Sequence, residues 1–280
     1  MSKYARYRLE NAGIYVGYLI VFCFFAFPIF WVVSLSLKSV PELFLTPPIW
    51  FSKTPQFQNY TFVIKNMEIL HYMWNSAKIV VVTIGLTLLL SFPAAYALSR
   101  FQFKMKRPVM LMILVFQMIS PVIIAIPLYR LFSQIGLINH SAGLIAVYVA
   151  VEIPLSTWFL KGYLDTLPLE LDEAAIVDGC SRWSTLWRVL LPVAMPGVAS
   201  VTILIAVASW SQFIIPFILL DDKDMFPMSL GLVTLKNSSD AITTHYLAAA
   251  SSIGILPVMI AFILLQRFIV GALTNGAVKG

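Results

Sequence analysis

The chain has 280 residues, of which 60% are hydrophobic and 11% charged, with a formal net charge of +6. Globular domains carry about 25% charged residues, so a water-soluble fold is excluded and one membrane-embedded domain is expected over 1–280. The Lys and Arg residues are scattered in ones and twos and form no basic face to follow a phosphate backbone, which excludes nucleic acid as a partner.

A helical span needs about 20 mostly apolar residues, and six stretches meet that requirement, with boundaries near 14–37, 76–98, 109–131, 142–163, 193–220 and 247–270. The first follows Lys3, Arg6 and Arg8. It is too long for a signal-peptide core and lacks a small-residue cleavage site, so a retained helix is expected. The link 38–75 holds "PELFLTPPIWF" and "KTPQFQNY", whose prolines and aromatics suit an interfacial cap. Spans two to six each contain Pro or Gly, which packed membrane helices tolerate.

With the N-terminus inside, the inner segments hold twelve of the 19 Lys and Arg: Lys3, Arg6, Arg8, Arg100, Lys104, Lys106, Arg107, Lys161, Arg182, Arg188, Arg267 and Lys279. The outer side and span edges hold the other seven, Lys38, Lys53, Lys65, Lys78, Arg130, Lys223 and Lys236. The densest cluster, 100–107, lies between spans two and three. Both termini are therefore expected in the cytoplasm.

On this topology the segment of about 162–191, between spans four and five, stays in water. Pro168 suits a first helical turn, and Glu170, Asp172 and Glu173 put negative charge at the positive end of the helix dipole. Asp178-Gly179 makes a break. Ser181 can then cap a second helix in which Trp183, Leu186, Trp187 and Leu190 share one face. An amphipathic pair resting on lipid headgroups is one reading. The other is a docking element, with Ala174, Ala175 and Gly179 removing bulk where a partner approaches and Glu173 supplying a fixed charge.

"EAAIVDG", nine further residues and "VLLP" resemble the EAA loop of permease subunits in binding-protein-dependent ATP-binding-cassette importers. Glu173, Ala174, Ala175, Gly179, Val189, Leu191 and Pro192 stand at that family's spacing. "NSAKIV", "AAYALSRFQF", "IPLYRLFSQIGLINH", "LPVMIAFILLQR" and the ending "QRFIVGALTNGAVKG" are similar to its carbohydrate-uptake, maltose-type branch, so the resemblance runs from about Tyr60 to Gly280. Two positions depart from the pattern: Trp210-Ser211 stands where the family often has Trp-Asn, and Ala272 where it usually has Gly.

The resemblance implies an all-α membrane protein with six transmembrane helices and a cytosolic EAA-type coupling-helix loop between helices 4 and 5, in a bacterial or archaeal inner membrane. It implies a second permease subunit in a heterodimer, two ATP-binding-cassette ATPase subunits, an extracytoplasmic substrate-binding protein, and a sugar as cargo. A polyol or glycerol-phosphate-type solute is the alternative cargo. The chain has no G-x-x-x-x-G-K-[ST] to cradle phosphates, so no cofactor is expected on it, and ATP with Mg belongs to the partner subunits. Glu170, Asp172, Glu173, Ala174, Ala175, Asp178, Gly179, Trp183 and Trp187 are the ATPase-coupling candidates.

For the translocation pathway the leading residue is Glu152, because an acidic group at mid-span costs about 2.5 to 3.5 kcal/mol on insertion scales and must face protein or a water-filled cavity. Tyr148 and Ser156 lie one turn either side. Thr83, Thr87, Ser91, Gln117, Ser120, Ser209, Gln212, Ser251 and Ser252 make similar stripes, and Trp210 and Phe213 offer faces on which a sugar can stack. Polar contacts between helices would use the same residue types.

His71, His140 and His245 read as surface residues without metal-ligand spacing. Cys23 and Cys180 suggest no disulfide framework. An ion-coupled secondary transporter would share the mid-membrane carboxylate but leaves the typed loop unexplained. An intramembrane enzyme would need a catalytic companion for Glu152.

Overall fold

A computed structural model describes the backbone of residues 3–237 and 244–277 and the side chains of 13–120, 122–235 and 244–266. The charges Lys3, Arg6, Arg8, Lys236, Arg267 and Lys279, and Ala272 in the tail, lie outside the residues whose side chains are described. The fold is all-α. In chain order the elements are α1 (Lys3–Ser36), α2 (Val40–Leu43), α3 (Gln58–Asn66), α4 (Ile69–Arg100), α5 (Lys106–Gln117), α6 (Pro121–Gln134), α7 (Ser141–Leu164) and α8 (Glu170–Val177). There follow α9 (Arg182–Ser184), a π-helical turn (Thr185–Leu190), α10 (Leu191–Val193), α11 (Met195–Ser211), α12 (Ile214–Leu219), a 3-10 turn (Lys223–Met225), α13 (Met228–Asn237) and α14 (Thr244–Ala277).

Among the described residues four helices are long and apolar enough to cross a membrane: Gly13–Ser36, Ile69–Arg100, Ser141–Leu164 and Thr244–Gln266. Two bent pairs, Lys106–Gln117 with Val122–Gln134 and Arg182–Val193 with Met195–Ser211, raise the number to six if each pair is one span.

The second pair bends at Ala194, at the start of the expected span 193–220, and two expected spans are also interrupted within their length. The stretch 109–131 breaks after Gln117, four residues before Pro121, and 193–220 breaks at Gln212, four residues before Pro216. A proline ring clashes with the carbonyl four residues earlier and offers no N–H to it. At both breaks a side chain starts the next helix, as the Ser120 hydroxyl accepts from Val122 N at 3.3 Å and Gln212 Oε1 from Ile214 N at 3.2 Å. Pro28, Pro93, Pro154 and Pro257 are instead carried inside continuous helices.

The chain divides into two compact units, Met1–Ile69 with Leu232–Ile255, and Leu70–Gly231 with Leu256–Gly280. In the first, the end of α1 is clasped by the following link. Asn59 Nδ2 donates to the carbonyls of Ser36 and Lys38 at 2.8 and 3.3 Å, and Ser34 Oγ donates to the Trp50 carbonyl. Lys38 is buried, with its Nζ 4.6 Å from the centre of the Trp31 ring, a cation–π contact, and Trp31 meets Trp50 edge-on at 5.6 Å. The link closes on Glu42, which accepts from Ser39 N (3.0 Å), Ser52 Oγ (2.8 Å) and Lys53 N (2.9 Å).

The second unit has an apolar core that joins Phe92, Ala95 and Tyr96 of α4, Leu160 and Leu164 of α7, Leu186 and Leu190 of the π-turn, Ala194, and Val201 and Ile205 of α11. At Gly197 α11 packs directly on α7, since a Cβ there would fall 2.5 Å from the Tyr163 ring. Asn75 and Ser76 clamp the segment before α13: Asn75 Nδ2 donates to the carbonyls of Asp224 (2.8 Å) and Phe226 (3.2 Å), and Ser76 Oγ accepts from Met228 N at 2.7 Å.

Candidate functional site

The segment between α7 and α11 folds as a helical hairpin. α8 starts with Glu170, Asp172 and Glu173 in its first turn, which complements the helix dipole. It ends in a Schellman motif in which Cys180 N donates to the Ala175 carbonyl at 2.9 Å and Gly179 N to the Ile176 carbonyl at 3.0 Å. Gly179 holds φ at +80°, a conformation that favours glycine. Ser181 then caps α9, accepting from Ser184 N at 3.2 Å.

The second arm departs from the expected regular helix. After α9 it widens into the π-turn, where Leu191 N reaches back to the Leu186 carbonyl. Pro192 has no N–H for the Arg188 carbonyl, so an α-helical bond is missing there. At Ala194 the chain bends by 80° into α11. Trp183 and Trp187 consequently do not share an environment. Trp183 is exposed, while Trp187 is half-buried with its ring 5.8 Å from that of Phe92.

The coupling candidates thus split into two sets. Glu170, Glu173, Ala174, Asp178, Gly179 and Trp183 are exposed, together with Leu169, Ile176 and Val177. Asp172 and Ala175 are buried, which corrects the expectation that Ala175 clears space for a partner: its small side chain lets α8 pack on its own protein. Asp172 faces Arg100, with Nε to Oδ2 at 3.0 Å, a contact of charges rather than an aligned hydrogen bond. Arg100 Nη2 also donates to the Leu167 carbonyl at 3.1 Å, and Ser99 Oγ to Asp165 Oδ1 at 2.7 Å. Asp165 pairs with Lys161 as well. Arg182 lies over the Phe101 ring at 5.1 Å.

Arg100, Ser99 and Asp165 are absent from the coupling candidates read from the sequence. Arg100 appears there only as one member of the basic cluster 100–107, because no local spacing links it to an aspartate 72 positions away.

Along α7, Tyr148, Glu152 and Ser156 are all buried, with Glu152 only 9% exposed. Glu152 makes no ion pair among the described residues. Tyr148 Oη donates to the Gln212 carbonyl at 3.5 Å, and the same carbonyl accepts from Ser229 Oγ at 2.6 Å. Thr83, Thr87 and Ser91 form a buried stripe on α4, and their hydroxyls, with those of Thr157 and Ser209, have no hydrogen-bond partner among the described residues. Enclosed polar atoms without a partner are uncommon in folded proteins.

The remaining pathway candidates are dispersed. Gln117 and Ser120 are exposed at the α5–α6 break, where Ser120 serves as a helix cap. Gln212 Oε1 accepts from Ile214 N just ahead of α12, and Phe213 stacks on Phe217 at 5.4 Å. Trp210 lines an apolar cleft of about 240 Å³ with Val81, Thr202 and Val258. Ser252 Oγ donates to the Ala248 carbonyl within α14 at 2.8 Å. His71 and His140 are exposed, His71 Nε2 donating to the Asp224 carbonyl at 2.7 Å and His140 Nδ1 to the Ile138 carbonyl at 2.8 Å. His245 is the exception to the expected surface placement, at 3% exposure in the first turn of α14, with its ring 4.1 Å from that of Tyr246.

A family model described as "Binding-protein-dependent transport system inner membrane component" matches residues 87–275. The sulfoquinovosyl glycerol transport system permease protein SmoH of Agrobacterium fabrum is 30% identical over 254 residues, 91% of this chain and 89% of that protein. The trehalose/maltose transport system permease protein MalG of Thermococcus litoralis is 30% identical over 275 residues, 97% and 98% of the two chains. Among solved structures, a chain of a bacterial ABC transporter involved in the import of the acidic polysaccharide alginate matches with a TM-score of 0.78 at 20% identity, covering 95% of this chain and 98% of that one.

Proposed function

The chain belongs to the family of binding-protein-dependent transport system inner membrane components, and from that membership we propose that it is one of two permease subunits of an ATP-driven sugar importer. The names of its relatives, which transport a sulfoquinovosyl glycerol and trehalose or maltose, support a saccharide as cargo. The second permease subunit, two ATPase subunits that bind ATP with Mg, and an external binding protein complete the assembly. Both termini and the α8 hairpin lie on the cytoplasmic side, following the excess of Lys and Arg there.

The hairpin carries the coupling. Its exposed acidic and apolar face, from Leu169 to Trp183, is the surface offered to the ATPase, while its inner face is bolted to the core of the second unit through Asp172, Ala175, Leu186 and Leu190. That two-sidedness is the observation on which the proposal rests. A displacement imposed on the outer face moves α4, α7 and α11, because their side chains belong to one packed core that deforms little. Reversing a population from 1:99 to 99:1 requires the partner's contacts to differ between states by about 5.5 kcal/mol, which a loosely tethered loop could not transmit.

Glu152, Tyr148 and Ser156, with the unpartnered hydroxyls of Thr83, Thr87 and Ser209, are the groups proposed to meet the cargo's hydroxyls as it passes. The test of the coupling role is Glu173→Arg in the complete complex. Loss of ATPase co-purification and of uptake in proteoliposomes is expected, and retention of both would refute the role.

A further inference from the structure

The second unit holds a cavity of about 610 Å³ between the start of α5 and the end of α7, unrelated to the groups assigned to coupling or passage. Lys104, Lys106, Arg107 and Lys161 stand around it, and no carboxylate lines it. Lys161 is engaged by Asp165, and Lys106 Nζ reaches only the Phe101 carbonyl at 3.5 Å. Lys104 and Arg107 are exposed and pair with no carboxylate among the described residues. The first turn of α5 has no acidic side chain and no side-chain cap, so the positive end of its dipole adds to the same field.

The other wall is apolar. Leu111, Leu114 and Trp158 line it and are themselves exposed. They continue onto Met112 and Val115 of α5, also exposed, on a helix that forms half of a bent span. A cavity with cations at one end and a greasy wall running along a membrane helix matches one ligand chemistry: a phosphate head joined to acyl chains. Its size lies within the roughly 300 to 1,000 Å³ of pockets that enclose a small molecule. We infer that this cavity holds the headgroup of one anionic phospholipid, with Lys104 and Arg107 on the phosphate and the first acyl carbons against Leu111, Leu114 and Trp158.

The inference does not depend on sugar transport and is read without it. The intact complex is purified in detergent and titrated by native mass spectrometry with phosphatidylglycerol, with phosphatidylcholine of the same chains, and with glycerol 3-phosphate. Wild type should retain one phosphatidylglycerol more tightly than Lys104→Gln/Arg107→Gln, by about 30-fold, given the contribution of each Lys or Arg near an anionic surface. Leu111→Trp, which fills the apolar wall and leaves the charges in place, should weaken the same lipid. Lys53→Gln/Lys223→Gln, removing two exposed cations elsewhere, should not.

Equal retention in wild type and the 104/107 variant would overturn the site. Equal binding of phosphatidylcholine would make it a nonspecific lipid groove, and displacement by glycerol 3-phosphate at matching affinity would make it a soluble-phosphate site. Protection of Lys104 and Arg107 by another protein subunit in a lipid-free complex would give the surface to that subunit instead. Each of these results contradicts the inference.

Discussion

Arg100 Nε stands 3.0 Å from Asp172 Oδ2, with both side chains largely buried, and so the last turn of α4 is tied to the first turn of α8. The same guanidinium holds the Leu167 carbonyl, fixing the approach to the hairpin as well as the hairpin. Removing one member of a buried ion pair leaves the other charge uncompensated, at a cost of about 3 to 5 kcal/mol. Arg100→Leu and Asp172→Leu should each lower the thermal unfolding midpoint of the detergent-purified chain and weaken ATPase association. The double replacement should recover most of the stability. If the double variant is as unstable as the sum of the two singles, the pair is not the element that ties α4 to α8.

Gly179 turns the chain at φ +80° with no atom within 4 Å of a Cβ placed there. Backbone strain and steric exclusion of a partner can therefore be separated. A left-handed L-residue costs about 1 to 2 kcal/mol, less for Asn than for Ala. Hydrogen exchange at the Cys180 amide should accelerate in Gly179→Ala and less in Gly179→Asn. If the ATPase approaches this turn closely, both variants should lose co-purification alike, or Asn more, because its side chain is larger.

Glu152 sits buried on α7 between Tyr148 and Ser156 without an ion-pair partner among the described residues. Glu152→Ala and Glu152→Gln should both assemble with the partner subunits at wild-type yield. Uptake should fall or change its preference among sugars in Glu152→Ala, and Glu152→Gln should retain more of it if the group acts by hydrogen bonding. Unchanged uptake kinetics in Glu152→Ala would remove this residue from the pathway.

Glu42 accepts bonds from Ser39 N, Ser52 Oγ and Lys53 N. The Ser39 backbone donor is the largest influence, and together these donors hold its carboxyl at about 2, well below the ordinary carboxylate value of 4.5. A depressed folded-state value means that the loop's stabilisation is fully present above about pH 4.5 and is lost as pH falls toward 2. Pepsin cleavage between 39 and 53, normalised to an unfolded substrate, should rise across that window. Glu42→Gln should be cleaved as readily at pH 4.5 as wild type is near pH 2.

The helical class and the hairpin were legible because they rest on local signals: long apolar runs, an acidic first turn, and Asp178-Gly179 as a stop. The breaks at Gln117 and Gln212 were less so, since Pro121 and Pro216 interrupt helices whereas Pro93 and Pro154 do not. At the first break Ser120 caps the next helix, and Ser120-Pro121 carried that signal in plain view. The π-turn was hidden, because Trp183, Leu186, Trp187 and Leu190 have the spacing of an ordinary helix. Arg100 with Asp172, and Asn75 with the loop 224–226, depend on contacts between distant parts of the chain, which periodicity does not encode.

The most direct test of the hairpin's coupling role is a photoreactive benzoylphenylalanine in place of Val177, which is 86% exposed at the end of α8, in the complete complex within proteoliposomes. Irradiation should yield a covalent adduct with the ATPase subunit, and its yield should change when a non-hydrolysable ATP analogue is added. Adducts formed only with phospholipid, or with the external binding protein, would contradict the account.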